Sequence, residues 1–238
     1  MRVKRGYTRE VPVELLRDYK LFAIACEGGV REPAYFKLFS YMSRKVTVDV
    51  IEEVISDEEM ATIHQNRSAP KWVLDRAMRY VDKEGLSAED ELWFVLDKDR
   101  WSDEQLREIF QYCGQQPNWN IVISNPCFEV WLYFHKKENI LISDSESCAN
   151  FKKEISNFTK GGYHPLDYIA DINQAAINAR KSDPDTSHFM PIHKVTKVYM
   201  LAESIMTFVG KNDLTDFINV KLPVLLKKHK KNLLKSNE

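Results

Sequence analysis

The chain has 238 residues, of which 44% are hydrophobic, and a formal net charge of −1. These values are typical of a soluble globular protein with a full core, and they exclude a polycation that coats nucleic acid through its overall charge. No apolar run approaches the roughly 18 residues of a membrane span, and the basic segment Met1–Glu10 is not followed by the apolar region of a signal peptide. We therefore expect a cytoplasmic protein that does not enter membranes.

The cysteines and the local charges narrow the class further. No CxxC pair is present, and no histidines stand at zinc-ligand spacing from the four cysteines, Cys26, Cys113, Cys127 and Cys148. Reduced thiols are therefore expected rather than a structural zinc site. Acidic residues concentrate at 49–59 and lysines at 221–235, so any contact with nucleic acid would depend on local patches.

Strands and helices are predicted to alternate over residues 20–137. Apolar runs predict strands at 21–26, 46–51, 92–96 and 120–124. Helical spacing is present at 33–42 and 70–81, in a capped segment opened by Ser102, and after Asn125-Pro126, where the asparagine is expected to cap the helix. This alternation predicts an α/β fold with a doubly wound, mainly parallel sheet, which binds ligands at the carboxyl ends of its strands. The acidic loop between residues 51 and 70 is expected to lie over those strand ends.

The pattern changes near residue 145. Helical periodicity is present at 147–159, 166–182, 195–210 and 213–234. We predict a catalytic α/β core at residues 1–140 and an α-helical C-terminal region at residues 141–238 that packs on it. The lysines at 227–231 are expected to form a solvated helix end, with contact to phosphates as the alternative.

Asp97-Lys98-Asp99 directly follows the third predicted strand. Two carboxylates at positions i and i+2 after a buried strand can point the same way, and hard oxygen ligands suit Mg²⁺. Taken alone, such a pair is more often two solvated loop aspartates.

Glu27-Gly28-Gly29 directly follows the first predicted strand. The glycines permit a sharp turn and a close approach of the backbone to a phosphate, although a glycine-rich turn with an incidental glutamate is the more common explanation. Neither GxGxxG nor GxxxxGK[ST] is present, which excludes ATP hydrolysis through a Walker A loop. If the first and third strands are neighbours, Glu27, Asp97 and Asp99 converge, and a divalent cation would offset their mutual repulsion.

Other polar residues are expected at the same edge of the sheet. Glu129 falls in the first turn of the helix after the fourth strand, where it is either a further metal ligand or a carboxylate near the positive end of the helix dipole. His135, among aromatic residues, is expected to be structural. The residues proposed to contact substrate are Gly28, Arg31, Lys98, Arg100, Asn125 and His193.

Three motifs together resemble the RloB-like family, also called the abortive-infection AbiLii type. They are ACEGGVREPAYF at 25–36, LWFVLDKDRW at 92–101 and ISNPCFEVWLYFH at 123–135, and a looser match follows at Thr196–Tyr199. The resemblance covers about residues 20–210 and implies a Toprim-like fold. It implies that Glu27 is an acid/base or metal-organising group and that Asp97 and Asp99 bind Mg²⁺, or Mn²⁺ in its place. The chain departs from the family at Arg31, where a threonine is usual.

The resemblance also implies a role in phage defence beside an ATPase partner protein. We expect a Mg²⁺-dependent nuclease that hydrolyses RNA or DNA. The alternatives are a non-catalytic Toprim-like interaction module that partners an ATPase, and a DxD phosphatase, in which the DxD would follow the first strand rather than the third. The choice between RNA and DNA stays open, as does a homo-oligomeric state.

Overall fold

The computed structural model describes residues 19–51, 70–99, 101–141, 146–159 and 162–235. Within these ranges five strands form one sheet in the order β2-β1-β3-β4-β5. The strands are β1 (Lys20–Cys26), β2 (Val46–Val50), β3 (Glu91–Asp97), β4 (Trp119–Asn125) and β5 (Val195–Thr196). Strands β1 to β4 are parallel to their neighbours, and β5 is antiparallel to β4. The predicted fold class, an α/β fold with a mainly parallel sheet and a helical C-terminal region, is confirmed.

The described helices are numbered in chain order. They are α1 (Arg31–Phe36), α2 (Pro70–Glu84), α3 (Asp103–Cys113), α4 (Glu129–Phe134), α5 (Cys148–Asn157), α6 (Ile172–Ser182), α7 (Val198–Phe208), α8 (Lys211–Asp216) and α9 (Leu222–Lys235). Shorter 3-10 segments lie at Lys37–Tyr41, Pro165–Asp167 and Ile169–Asp171, and π-helical Phe217–Lys221 joins α8 to α9. Among these helices none combines the length and the apolar character that crossing a bilayer requires. The predicted acidic loop between residues 51 and 70 lies outside the described residues, apart from Ile51 itself.

The sheet separates two layers of helices because alternate residues of each strand point to opposite faces. Phe22 and Ile24 of β1 belong to a hydrophobic cluster with α1, α4 and the C-terminal helices, whereas Ala23 and Ala25 belong to a cluster with α2 and α3. The small alanine side chains let α2 approach β1 closely, whereas α3 packs on β4. The C-terminal helices therefore share a core with the sheet, while the domain boundary at residue 140 stays a prediction.

Of the two helix caps predicted from the sequence, the one at Ser102 is confirmed and the one at Asn125 is wrong. Ser102 caps α3 as predicted: its hydroxyl accepts from the Gln105 N–H at 3.3 Å, and the Gln105 side chain accepts from the Ser102 N–H at 3.0 Å. The predicted cap at Asn125 is wrong, because Asn125 ends β4 and α4 begins only at Glu129. Pairing of Asn125 with Val195 of β5 keeps this residue extended, and its side-chain amide donates to the Pro191 carbonyl at 3.0 Å.

Strand β5 lies where the sequence predicts the start of a helix. The Lys197 N–H donates to the Ile123 carbonyl of β4 at 2.8 Å, so this pairing depends on a tertiary partner. The Lys197 side chain is 2% exposed and its ammonium lies 2.5 Å from the Asp183 carboxylate, which also accepts from the Tyr199 hydroxyl at 2.6 Å. This buried ion pair anchors the chain as it enters α7.

His135 is buried in the aromatic core, in agreement with the structural role expected for it. Its Nε2 lies 2.9 Å from the Tyr35 hydroxyl, and its Nδ1 lies 3.0 Å from the Trp131 carbonyl oxygen. Burial lowers the pKa of His135 to about 3, so the ring is neutral at physiological pH.

Candidate functional site

The carboxyl ends of β1, β3 and β4 form one edge of the sheet. β1 pairs directly with β3, and β3 with β4. The Glu27 N–H continues the β1–β3 pairing by donating to the Val95 carbonyl at 2.9 Å. The segments that carry Glu27, Asp97 and Glu129 are therefore brought to the same edge, as the sequence predicts.

Glu27 is held by two hydrogen bonds to its carboxylate. Oε2 accepts from the Asp97 backbone N–H at 3.0 Å, and Oε1 accepts from the Trp101 indole N–H at 2.9 Å. Burial raises the pKa of Glu27 to about 7, although both hydrogen bonds oppose that rise. The nearby Asp99 carboxylate adds to it. Glu27 is thus oriented by the DxD segment and changes charge close to neutral pH.

Asp97 lies at the centre of a group of carboxylates. Its pKa is raised well above the usual range, first by burial and then by the negative charges of Glu32, Glu27 and Glu129. We call these four residues, Glu27, Glu32, Asp97 and Glu129, the acidic cluster. Their mutual repulsion in a buried position is unfavourable unless protons or a cation offset it.

Asp99 differs from Asp97 in its surroundings. It is exposed, its Oδ2 lies 3.6 Å from Cys148 Sγ at the start of α5, and its N–H donates to the Pro126 carbonyl at 3.0 Å. Asp99 still lies near enough to Glu27 to raise the pKa of Glu27. The two aspartates of the DxD segment therefore occupy different positions: one within the acidic cluster and one at its solvent side.

Glu32 is the member of the acidic cluster that the sequence analysis did not select. It lies in the first turn of α1 and is 8% exposed, and burial raises its pKa. The sequence signal that could have identified Glu32 is its place at the end of EGGVRE, in the first turn of the helix that follows Glu27. Trp101 was also missed, although it closes the LDKDRW motif.

Gly28 makes room for Glu32. A Cβ added at Gly28 would overlap the Glu32 carboxylate, whereas a Cβ at Gly29 would meet nothing within 4 Å. We expect Gly28→Ala to lower the free energy of unfolding by about 1–3 kcal/mol, as overpacking does, and Gly29→Ala to change it by less than about 0.5 kcal/mol. Urea denaturation of the two variants measures the difference. Equal stabilities would show that Glu32 moves aside without cost.

Arg31 links the acidic cluster to the C-terminal region. Its Nη1 donates to Glu129 Oε1, and its Cζ lies 5.5 Å from the centre of the Tyr163 ring. Tyr163 was not predicted, because its own segment carries no sign of a site. Burial and the charge of Glu32 raise its pKa, and its buried hydroxyl has no hydrogen-bond partner among the described residues.

Two other basic residues at this edge contact groups outside the acidic cluster. The Lys98 ammonium lies 2.7 Å from Asp103 Oδ1 and donates to the Trp101 carbonyl at 2.6 Å. Arg76 of α2 donates to the carbonyl of Cys26, the residue before Glu27. Arg76 was not selected from the sequence, since a single arginine on an amphipathic helix has no distinguishing pattern.

The remaining sequence candidates have separate outcomes. Asn125 ends β4 at this edge, with its amide engaged by Pro191 as described above. His193 is exposed and lies two residues before Val195, the partner of Asn125, so it belongs to the same edge. Arg100 lies outside the described residues.

The donor chemistry of the acidic cluster suits a hard divalent cation. Carboxylates are the ligands that Mg²⁺ prefers, and the raised pKa values of Glu27 and Asp97 reflect negative charge that a cation would offset. Across the ranges that the structure describes, no three His, Cys, Asp or Glu side chains are arranged to hold a metal ion together. Mg²⁺ commonly uses one or two protein carboxylates and completes its shell with water and substrate phosphate. The residues therefore fit Mg²⁺ in charge and ligand type.

The model of a protein family described as RloB-like protein matches residues 22–205, which include most of β1, the whole of β2 to β5 and every member of the acidic cluster. No curated protein matches the chain, and no solved structure does.

Proposed function

The chain belongs to the RloB-like family, and from this premise we propose that it is a Mg²⁺-dependent nuclease of Toprim type that hydrolyses phosphodiester bonds in RNA or DNA. The observation that carries the proposal is the acidic cluster at the carboxyl edge of a parallel sheet, with Glu27 hydrogen-bonded to the backbone of Asp97. Ligands of open α/β sheets bind at this edge. Buried carboxylates with raised pKa values are typical of functional sites.

In this proposal Glu27, Asp97 and Asp99 form the metal site, where one or two of these carboxylates would bind the ion directly and the others would act through its water shell. Glu129, whose Oε1 accepts from Arg31, borders this site. Mg²⁺, or Mn²⁺ in its place, would supply charge stabilisation at the phosphate and would make water a better nucleophile at neutral pH. Asp97 and Asp99 suit different tasks in this proposal, because Asp97 is partly buried within the acidic cluster and Asp99 is exposed to solvent.

Glu27 is the proposed acid/base group. Its pKa of about 7 lets the carboxylate accept or release a proton near physiological pH. The Trp101 indole and the Asp97 N–H each donate to one of its oxygens, which fixes the orientation of the carboxylate. Gly28, beside it, is proposed to let a phosphate approach the backbone.

The biological setting is proposed from the family alone. RloB-like membership supports a role in anti-phage defence, in the cytoplasm, with an ATPase as partner protein. A Toprim-like module that only binds such a partner would share the fold without the chemistry.

The test is incubation of the purified protein with Mg²⁺ or Mn²⁺ and with labelled tRNA, mRNA, plasmid and single-stranded DNA. We expect cleavage of at least one polymer, and none when EDTA removes the metal. Turnover of p-nitrophenyl phosphate without polymer cleavage would instead indicate the DxD phosphatase. No reaction on any substrate, with the ATPase partner also present, would indicate the interaction module.

A further inference from the structure

The Arg31 side chain lies between an anion and an aromatic ring at the border of the acidic cluster. We propose that Arg31 is the phosphate anchor of this site, and that Glu129 and Tyr163 are positioning residues that hold its guanidinium in place. The inference rests on the proposed function, since it names the group that binds the nucleic-acid backbone.

Glu129 provides the first support. Its side chain is 5% exposed, in the first turn of α4, whereas the side chain of Arg31 in the first turn of α1 is 31% exposed. The ion pair therefore joins two helix starts and fixes one end of the guanidinium. It engages Nη1, so the remaining N–H groups of the fork are available for a second, planar contact such as a phosphate.

Tyr163 provides the second support. Its ring lies 5.5 Å from Arg31 Cζ, within the range of a cation–π contact. Its hydroxyl has no hydrogen-bond partner within the described part of the chain, so the ring is the part of the residue that contacts Arg31. The ion pair and the ring together restrict the Arg31 side chain before substrate binds. Less rotamer entropy is therefore lost on binding than for a freely moving arginine.

The need for an anchor follows from charge. A cluster of carboxylates repels a phosphate, so substrate must be held there by a cation of the protein or by a metal. Lys98 is engaged with Asp103 and Trp101, and Arg76 with the Cys26 carbonyl. Among the described residues, Arg31 forms an ion pair with the acidic cluster while its side chain stays 31% exposed, whereas exposed Lys152 of α5 acts on Glu32 through its charge without forming an ion pair.

The anchor is tested by the affinity for a fluorescein-labelled single-stranded oligonucleotide, measured by anisotropy in EDTA over a series of salt concentrations. Arg31→Ala is expected to raise Kd about tenfold and to lower the slope of log Kd against log salt by about 0.7, as the loss of one phosphate contact does. Arg44→Ala removes the same charge just before β2, at the opposite edge of the sheet, and is expected to change neither quantity.

The positioning residues have their own expected results. Glu129→Gln should raise Kd about threefold, and it should have no further effect when Arg31→Ala is already present. Tyr163→Leu should weaken binding, and the ring-retaining Tyr163→Phe should recover most of the loss. The melting temperature of each variant separates loss of fold from loss of contact. Arg31→Lys keeps the charge but not the planar guanidinium, so its affinity should lie between those of wild type and Arg31→Ala.

Two results would overturn the inference. Glu129→Gln would bind more tightly if Glu129 only repelled phosphate, and Arg31→Ala would leave the salt slope unchanged if Arg31 made no phosphate contact. Binding in EDTA does not depend on cleavage, so failure of the nuclease assay with an intact Arg31 effect would refute the proposed activity and leave the anchor standing.

Discussion

Asp97→Asn is expected to lower the rate of metal-dependent cleavage by about 10³-fold while raising the stability of the metal-free protein by about 1 kcal/mol. Asp97 is partly buried, and its pKa is raised first by desolvation and then by the negative charges of Glu32, Glu27 and Glu129. The amide has nearly the same shape but no charge, so it removes a metal ligand and also relieves the repulsion. Opposite changes in activity and stability are typical of a side chain kept for function.

The measurement combines initial cleavage rates with thermal unfolding in EDTA. Asp82→Asn is the matched control, because it makes the same change at an exposed position of α2 and should alter neither property. Unchanged cleavage by Asp97→Asn would remove Asp97 from the reaction. A large drop in melting temperature would show instead that Asp97 stabilises the fold.

The stability of the metal-free protein is expected to fall as the pH rises from about 4.5 to about 7. The folded-state pKa of Glu27 is about 7 and its ordinary value is 4.5, so the folded protein binds more protons than the unfolded chain in that window. The contribution of Glu27 is fully present below pH 4.5 and is lost as the pH passes its folded pKa, and it amounts to about 3 kcal/mol. Asp97, whose pKa is also raised, acts in the same direction.

Mg²⁺ should reverse this dependence, since it binds the ionised carboxylates. We expect Mg²⁺ to raise the melting temperature more at about pH 8 than at about pH 5, and cleavage to increase with pH with a midpoint below the metal-free pKa of about 7, because a bound cation lowers the pKa of Glu27. Melting curves in buffers across this range, with Mg²⁺ or with EDTA, measure both effects. Glu27→Gln should reduce the pH dependence, and the exposed Glu89→Gln should not. Identical pH profiles for wild type and Glu27→Gln would mean that Glu27 has an ordinary pKa.

The main strands and the positions of two acidic segments were determined by the sequence itself. Continuous apolar runs predict strands buried on both faces, and β1 and β3 are observed there. Carboxylates placed directly after two such strands must lie at one edge if the strands are parallel neighbours, as β1 and β3 are. Glu27 and Asp97 were therefore accessible to reasoning from backbone periodicity alone.

Only the tertiary structure decided which side chains complete the site. Arg31 and Glu129 are 98 positions apart in the chain, and Tyr163 comes from the C-terminal region. β5 and the extended conformation of Asn125 likewise depend on pairing between distant segments. Periodicity records how each residue relates to its neighbours along one helix or strand, whereas these contacts depend on how separate helices pack on the sheet. The sequence thus determined the edge at which the carboxylates gather, and the packing of α1, α4 and the C-terminal region determined that Glu32 joins them and that Arg31 is held beside them.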